Sequence, residues 1–407
     1  MIWELIQANK RKSIMLMAVM AFVLLAMGGL IGMLINSKNP QNGAMFGMII
    51  ASAVFAILTM ISFSAGDQIL LSSSKAVPIT KEMHPQLFNV VEEMTIAAQL
   101  PNMPKIYIIP DPSPNAFATG RNPKNASIAV TAGLLSRLNR DELQGVIAHE
   151  MSHIIHRDIL YVTLAGIMLG SIVLISQVFL RSMFYSSMGR RTSSRDNQGG
   201  GAILVLVIAI IAAILAPILA QILYYTLSRR REYLADAGAA RLTRYPEGLA
   251  SALEKISGAH VPMETANKVT APMYIIPPMV KDKMAFAGLG MTHPPIEKRV
   301  AVLRKMTHGA AFSDYSEAFT SVTGSKHGIP KSALADKEEV QIRDSSRESS
   351  PSKANQNKQM RQANDIIRMV NGFAFLNCAC GLKMKLPPNF KAKQIACPKC
   401  GTVHNVN

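Results

Sequence analysis

Two histidines at helical spacing give the clearest chemical signal in the chain. They stand in the segment His149-Glu150-Met151-Ser152-His153. Residues four apart on a helix share one face, so both imidazoles can bind a single metal ion, and imidazole is a common ligand of Zn²⁺. Glu150 is turned away from the ligands by about 100°, which suits a general base that takes a proton from water at the metal. The segment predicts a catalytic zinc site.

The residues around this segment favour a helix. Asn139 or Asp141 can cap a helix that continues to Asp158, with apolar residues at helical spacing before His149. His156 lies on the same face, but about 10.5 Å along the axis separates it from His149, so one ion cannot bind all three histidines. We expect His156 to support the site or to lie on the surface. A chance occurrence of so short a motif is the alternative.

A second acidic helical segment could complete the site, because a catalytic zinc ion needs a third protein ligand and one open position. The segment Arg231 to Asp236 offers Glu232 and Asp236 four residues apart on one face. Glu232 is the predicted third ligand. Asp236 is predicted to accept a hydrogen bond from a ligating imidazole and so to fix its tautomer. An ordinary solvated helix face is the alternative for this segment.

Long apolar runs indicate a membrane protein. The first two, Ile14 to Ile35 and Gly43 to Ala65, contain no charged residue and are long enough to cross a hydrocarbon core as a helical hairpin. The basic cluster Lys10 to Lys12 precedes them, which by the positive-inside rule places the N-terminus and the end of the hairpin in the cytoplasm. The net charge of +17 fits an anionic lipid surface better than it fits nucleic acid.

The sequence leaves open how two further apolar runs are placed in the membrane, Ile159 to Leu180 and Ala202 to Leu227. The loop between them is basic, which places positive charge on the non-cytoplasmic side if both runs span. They either span in spite of that loop, or lie in the interface or re-enter, and both alternatives stay open. Pro217 is predicted to kink the second of these runs.

The remaining segments predict a mainly α-helical fold with a small β-sheet. A helix is predicted around Gln86 to Ala98, strands at Lys105 to Ile109 and Ser127 to Thr131, and mostly helix after Ser228. Residues 326–372 are polar and charged, which predicts a disordered linker. The predicted organisation is a transmembrane hairpin (1–71), a metallopeptidase domain (72–325) that contains the apolar segments 159–180 and 202–227, the linker, and a C-terminal zinc ribbon (373–407).

The cysteines are confined to this C-terminal tail, as Cys378, Cys380, Cys397 and Cys400. Glycine after each pair permits the tight turn that brings both sulfurs to one ion. Four thiolates suit a closed, structural Zn²⁺ site that stabilises a domain too small to fold on its own core. Free thiols or disulfides are the alternatives, and His404 could replace one thiolate. A protein is favoured over nucleic acid as the partner of the ribbon.

Three motifs in a fixed order carry a family resemblance. The His149–His153 motif, the segment Ser228 to Asp236 and Thr292-His293-Pro294-Pro295 together resemble the HtpX family of membrane metallopeptidases, which are relatives of the CAAX prenyl proteases. The resemblance covers about residues 1–310. It implies a zincin-like catalytic domain in a multi-pass protein of the inner membrane, with the active site facing the cytoplasm. It also implies zinc-dependent cleavage of membrane proteins, damaged or misfolded ones in particular.

The same resemblance implies two further sets of site residues. Asn115, Ala116, Phe117 and Ala118 would form the strand edge that pairs with an extended substrate. His293 would stabilise the oxyanion of the transition state, although a structural role at a helix start is equally compatible. Three rival functions remain: an intramembrane metalloprotease, a catalytically weak zinc-containing membrane scaffold, and a regulator that acts through the ribbon.

Overall fold

The computed structural model describes most of the chain. Described are residues 2–36, 39–159, 172–173, 175–181, 200–266, 273–276, 278, 294–325, 328–330, 333–334, 339–345, 353–370, 372–390 and 392–405. His293, most of the apolar run 159–180 and the basic loop that follows it lie outside these ranges.

The first two helices form an antiparallel hairpin, with α1 at Ile2–Ile35 and α2 at Pro40–Ser73. Asn39 caps α2 with its side chain, and Pro40 occupies the first turn, where a missing N–H leaves no helical bond unmade. Both helices contain stretches long and apolar enough to cross a membrane, with mean hydropathies of 2.5 and 2.4. Only 28% and 17% of these stretches is buried, so most of their apolar surface faces outward, as lipid contact requires.

Glycines bring the backbones of α1 and α2 into direct contact. A Cβ atom on Gly47 would lie 2.0 Å from the carbonyl oxygen of Gly28, and one on Gly32 would lie 2.1 Å from that of Gly43. Small residues at such an interface allow the close backbone approach by which membrane helices associate.

A four-stranded sheet follows, with the order β1-β2-β4-β3. Strands β2 and β4 pair in parallel, and the two outer pairs, β1 with β2 and β3 with β4, are antiparallel. Strand β3 is therefore an edge strand, yet all of its residues are buried, because other parts of the chain cover that edge. The strands are β1 Val77–Pro78, β2 Lys105–Ile109, β3 Ala116–Gly120 and β4 Ala126–Thr131.

Helices pack around this sheet and enclose the main core. Val90, Ile108, Val130, Val146 and Leu253 are fully buried in it and come from five different elements. The helices of this region are α3 Pro85–Ala97, α4 Ala132–Arg137, α5 Arg140–Ile155, α6 Gly200–Thr243, α7 Pro246–Ser257, α8 Ile296–Lys305 and α9 Phe312–Thr323.

Helix α5 begins at a capping box. The Asn139 side chain accepts from the backbone N–H of Glu142, and the Glu142 carboxylate accepts from the backbone N–H of Asn139. Ser251 and Lys255 of α7 also donate to Glu142, at 2.6 and 2.8 Å. The start of α5 is thereby fixed to a neighbouring helix, which orients the His149 motif two turns further on.

Helix α6 is a single helix across the apolar run 202–227 and the acidic segment that follows it. The sequence predicts two pieces here, with a soluble helix from Arg229. The helix continues because no glycine or proline stands between Leu227 and Arg241 to end it except Gly238, which a helix tolerates. The apolar segment and Glu232 therefore lie on one continuous helix.

Residues 326–372 are predicted to form a disordered linker, but the structure places a helix, α10, at Lys353–Val370. Helix α10 packs against α4, and Ala363 and Ile366 are buried in the main core. The segment is polar overall, so its composition does not reveal this narrow apolar stripe, which is enough to hold the helix against the main core.

Arg343 connects the same region to helices α5 and α6. Its Nη2 donates to Asp141 Oδ1 at 2.9 Å and to Gln144 Oε1 at 2.7 Å, at the start of α5. Its Nε donates to the Thr243 carbonyl oxygen at 2.8 Å, and its backbone N–H donates to the carbonyl oxygen of Arg244, at the end of α6. The side chain thus bridges the two helices that carry the predicted metal ligands.

Two short hairpins make up the C-terminal tail: β5 Ala374–Asn377 with β6 Lys383–Leu386, and β7 Gln394–Ala396 with β8 Val403–Asn405. Lys383 and Lys385 of β6 contact the Asp365 carboxylate of α10, at 3.3 and 2.5 Å. The tail is therefore connected to α10, and through α10 to the main core.

Candidate metal centre

Helix α5 places both histidines of the motif side by side. The rings of His149 and His153 lie 4.9 Å apart between centroids and nearly perpendicular to each other. His149 is fully buried, and Glu150 beside it is 2% exposed. The i, i+4 spacing therefore produces the shared face that the sequence predicts.

Helix α6 brings Glu232 against the two imidazoles. His149 Nε2 lies 3.5 Å from Glu232 Oε2, and His153 Nε2 lies 3.6 Å from Glu232 Oε1. Ligand atoms around a tetrahedral zinc ion, at bond lengths of about 2.0–2.1 Å, lie about 3.3 Å from one another. The observed separations are close to that value.

The donor set fits a metal ion in a second respect. His149 Nε2 is buried, and its 3.5 Å contact with Glu232 Oε2 does not have the geometry of a hydrogen bond. His149, His153 and Glu232 each offer one potential ligand atom, and these three atoms lie within 4.8 Å of one another. A buried nitrogen without a partner costs free energy unless an ion or water binds it. The three predicted ligands are thus brought together in a form that a zinc ion satisfies.

Each imidazole contacts an aspartate through its Nδ1 atom. Asp236 Oδ1 lies 3.0 Å from His149 Nδ1, and Asp158 Oδ2 lies 3.3 Å from His153 Nδ1. A carboxylate at Nδ1 holds the proton there and directs Nε2 to the metal. The second of these contacts has no counterpart in the helical periodicity. The helix is predicted to continue to Asp158, but α5 ends at Ile155, where Arg157 has a positive φ of 56° and the chain turns.

A buried arginine holds Asp236 in place. Arg299 is fully buried, and it donates from Nε and Nη2 to the two carboxylate oxygens of Asp236 at 2.8 and 2.6 Å. Its Nη1 lies 3.7 Å from Glu232 Oε2. Arg299 therefore contacts both acidic residues of the centre. Its signal in the sequence is its spacing of three and four residues from Val302 and Leu303, which places it on the apolar face of α8, where a solvated arginine does not belong.

Charges within the centre shift the pKa values of its members. Burial alone would lower the pKa of His149, but contacts with Asp236 and Glu232 outweigh it and raise that pKa to about 9 in the metal-free protein. Burial opposes ionisation of Asp236, yet Arg299 and His149 hold its pKa below the usual value. In the metal-free protein the His149 imidazole is therefore protonated on both ring nitrogens at neutral pH, and a metal ion that binds Nε2 must displace the proton there.

Glu150 lies beside this group. Burial raises the pKa of the Glu150 carboxyl, the nearby histidines act in the opposite direction, and the backbone N–H of Ala118 donates to it. The base predicted from the motif therefore stands between the ligands and the edge strand β3.

The predicted substrate strand is partly bonded to another segment of the chain. Ile275 N–H donates to the Ala116 carbonyl oxygen at 3.0 Å. The Asn115 side chain donates from Nδ2 to the Ile276 carbonyl oxygen at 2.8 Å, and its Oδ1 lies 3.4 Å from the Ile276 backbone nitrogen. Phe117 points into a buried cluster, so its side chain is structural.

Of the two other histidines in the sequence analysis, the structure describes only His156. His156 is buried and lies 3.3 Å from Ser152 Oγ, so it is not a surface residue. Burial lowers its pKa to about 4, which keeps the ring neutral. His293 lies outside the described residues, and its role stays a prediction.

The four cysteines converge at the C-terminus. Cys378 Sγ lies 3.3 Å from Cys400 Sγ, and Cys380 Sγ lies 3.6 Å from Cys397 Sγ, with no disulfide among these four residues. Sulfur ligands of a tetrahedral zinc ion lie about 3.8 Å apart. The glycines that follow the pairs have positive φ angles, 81° for Gly381 and 76° for Gly401, as the predicted tight turns require.

Known proteins are similar in sequence to this chain over 75% of its length. The sequence profile of peptidase family M48 matches residues 81–307. A protease HtpX homolog of Caldanaerobacter subterraneus subsp. tengcongensis is 44% identical over 307 residues, which are 75% of this chain and 98% of that protein. One from Dictyoglomus thermophilum is 45% identical, over 75% of this chain and 94% of the relative. The crystal structure of S. mikatae Ste24p aligns with a TM-score of 0.38 and 19% identity, over 74% of this chain and 66% of that one.

Proposed function

The chain belongs to peptidase family M48, and from that premise we propose that His149, His153 and Glu232 hold its zinc ion and that Glu150 is its general base. The enzyme class is that of a zinc-dependent membrane metalloprotease. The observation that carries the residue assignment is the convergence of the two Nε2 atoms on one carboxylate, while each Nδ1 lies against an aspartate.

A zinc ion, when bound, supplies Lewis acidity that makes water a nucleophile near neutral pH and polarises the scissile carbonyl. Glu150 takes the proton from the attacking water and passes it to the nitrogen of the leaving amine. Its buried position supports this role, since burial raises the pKa of the carboxyl and so makes it a stronger base. A site that only stabilised the fold would have no use for a buried acid beside its ligands, which speaks against the scaffold function.

We place the catalytic domain at the cytoplasmic surface of the inner membrane in a multi-pass protein. Leu70 and Leu71, at the end of the apolar helix α2, pack in one cluster with Phe117 of strand β3. The edge strand therefore lies directly where a membrane helix ends. The basic cluster Lys10 to Lys12 supports a cytoplasmic N-terminus, and two crossings return the chain to the same side.

This placement supports membrane proteins as substrates. A segment that emerges from the bilayer near α2 reaches β3 without crossing bulk water, and damaged or misfolded proteins expose such extended segments. Asn115 to Ala118 would pair with the segment through backbone hydrogen bonds, which are independent of side-chain identity. The lipid bilayer and its proteins are thus the proposed partners of the catalytic domain.

Replacing Glu232 by glutamine tests the ligand assignment. We expect zinc to bind at least about 10²-fold more weakly, because losing a direct anionic ligand costs no less than losing a supporting residue, and proteolysis should fall with zinc occupancy. Competition with a chromogenic chelator measures the affinity. The exposed Glu317→Gln is the matched control. Unchanged zinc affinity in the Glu232 variant would show that the third ligand lies elsewhere.

We propose that the four cysteines hold a second, structural zinc ion in a C-terminal ribbon. The Thr402 hydroxyl, 3.2 Å from Cys400 Sγ, lowers the pKa of that thiol, which favours the ligating thiolate. The ribbon contains lysines and no acidic residue, yet two of its lysines are paired with Asp365. A protein partner is therefore preferred to nucleic acid.

Zinc content separates the two sites. The full-length protein should hold about two zinc ions per chain. Replacing Cys397 and Cys400 by serine should leave about one ion, and so should His149→Ala, which removes the other site. Metal analysis by mass spectrometry of protein dialysed against a weak chelator gives the count. Full-length chains are needed, since truncation would also remove Arg343 and α10. Equal zinc in the cysteine variant and the wild type would exclude the ribbon site.

A further inference from the structure

The segment Met273–Ile276, which forms a 3₁₀ turn followed by bends, is hydrogen-bonded to the edge of β3. Among the described residues, one backbone hydrogen bond joins it to the strand, from the Ile275 N–H to the Ala116 carbonyl oxygen. That carbonyl is an outward-facing group of the sheet edge, which is the kind of group that an added strand binds. The Asn115 side chain contacts both the N–H and the carbonyl of Ile276. Because 275 and 276 face 116 and 115 in that order, the segment runs antiparallel to β3.

The other side of this segment contacts the metal centre. Arg299 Nη1 donates to the Ile275 carbonyl oxygen at 3.3 Å, while the same guanidinium holds Asp236 and approaches Glu232. The Ile275 backbone is therefore bonded to the edge strand through its N–H and to the arginine of the metal centre through its carbonyl. The segment occupies the gap between the two.

The side chains of the segment show what this gap accommodates. Tyr274 is fully buried, its ring meets Phe117 edge to face at 5.2 Å, and its hydroxyl lies 3.3 Å from Ser74 Oγ at the end of α2. Ile275 is 2% exposed. The gap is thus lined for apolar side chains.

The register of β3 shows why a substrate needs the same place. Alternate residues of an edge strand direct their backbone groups outward, and Ala116 and Ala118 are such residues. The Ala118 N–H contacts the Glu150 carboxylate. A peptide whose scissile bond lies at Glu150 and which pairs with β3 must therefore also pass Ala116, about 7 Å along the strand from Ala118. Ile275 now lies at that position.

We propose that Met273–Ile276 is an internal occupant of the substrate site, and that an extended, apolar substrate segment binds by displacing it and pairing antiparallel with Asn115 and Ala116. This inference rests on the proposed function. It adds a substrate class, extended apolar segments with aromatic and aliphatic side chains, and a latent state in which the chain occludes its own site.

Ile275→Pro tests the proposal, because proline cannot donate to Ala116 and so weakens the occupant without altering the metal ligands. In the full-length, zinc-loaded protein in detergent, kcat/KM for β-casein should rise about fivefold, the factor that corresponds to the net loss of one hydrogen bond. A fixed structural strand predicts the opposite, a lower kcat/KM with a lower melting temperature. If wild type and variant both leave casein intact, the proposed function itself fails, which distinguishes the two failures.

Hydrogen exchange decides the matter if Ile275→Pro does not fold. Zinc-loaded Glu150→Gln protein binds casein without cleaving it, and saturation is followed by fluorescence anisotropy. We expect the Ile275 amide to exchange several-fold faster in the complex, while the amides of β2 keep their protection as an internal control. Retained protection of Ile275 with casein bound would overturn the proposal.

Discussion

Replacing Glu150 by glutamine should lower the rate of proteolysis by at least about 10²-fold, the usual contribution of a positioned acid–base group. Glutamine has the size of the native side chain but cannot take a proton from water. His149, His153 and Glu232 are untouched, so zinc content and melting temperature should remain close to those of the wild type. Initial rates of casein cleavage, measured beside metal content on the same sample, give the comparison.

The matched control for this variant is Glu317→Gln. Glu317 is an exposed residue of α9, and the same chemical change there should leave the rate unaltered. A normal rate in a zinc-loaded Glu150 variant would remove Glu150 from the mechanism. The catalytically weak scaffold would then become the better description of the chain.

Replacing Arg299 by methionine should cost about 3–5 kcal/mol of folding stability, the usual effect of removing one partner from a buried ion pair. Asp236 is fully buried and loses both of its bonds to the guanidinium, so an uncompensated carboxylate remains in the core. Chemical denaturation in detergent measures the loss. Zinc affinity should fall as well, because Asp236 no longer holds His149 Nδ1 in a fixed orientation.

The same helix offers a control for Arg299. Arg304 of α8 pairs with Glu247 and Glu254, but these side chains are 43–50% exposed, and exposed pairs contribute about 0–1 kcal/mol. Arg304→Met should therefore change stability little. Adding Asp236→Asn to Arg299→Met should recover part of the loss, because the buried charge is then absent. Equal effects at positions 299 and 304 would contradict this account of the centre.

The predictions that succeed rest on local periodicity. The spacing of His149 and His153, and of Glu232 and Asp236, follows from the geometry of any α-helix, so their shared faces can be predicted without knowing the fold. Strand Lys105–Ile109 agrees with the prediction because its branched and aromatic residues stand between loop-forming residues. The membership of a metallopeptidase family follows from the same motifs, and the comparisons confirm it.

The residues that escape prediction act across the fold. Arg299 reaches Asp236 from a helix 63 positions later, and no pattern within either helix indicates the partner. The contacts of Ile275 with Ala116 and Arg299 depend on how three separate segments meet. Such contacts are fixed by tertiary packing, which a single sequence does not reveal.

The C-terminal region differs from its prediction for a related reason. Polar composition indicates disorder when too little apolar surface is available for burial. Helix α10 needs only the stripe that contains Ala363 and Ile366, because the catalytic domain supplies the rest of the interface. Arg343 adds hydrogen bonds to helix ends, which hydrophobicity patterns do not report.

The attachment of the ribbon through Asp365 and α10 has a consequence for anything that the ribbon binds. A ligand captured by a tethered module meets the neighbouring site at an effective concentration of about millimolar order, whatever its concentration in solution. Even a weak ribbon ligand would then be presented to the protease far above its bulk level. Delivery by the ribbon would then add to the selectivity that the cleft has for apolar segments.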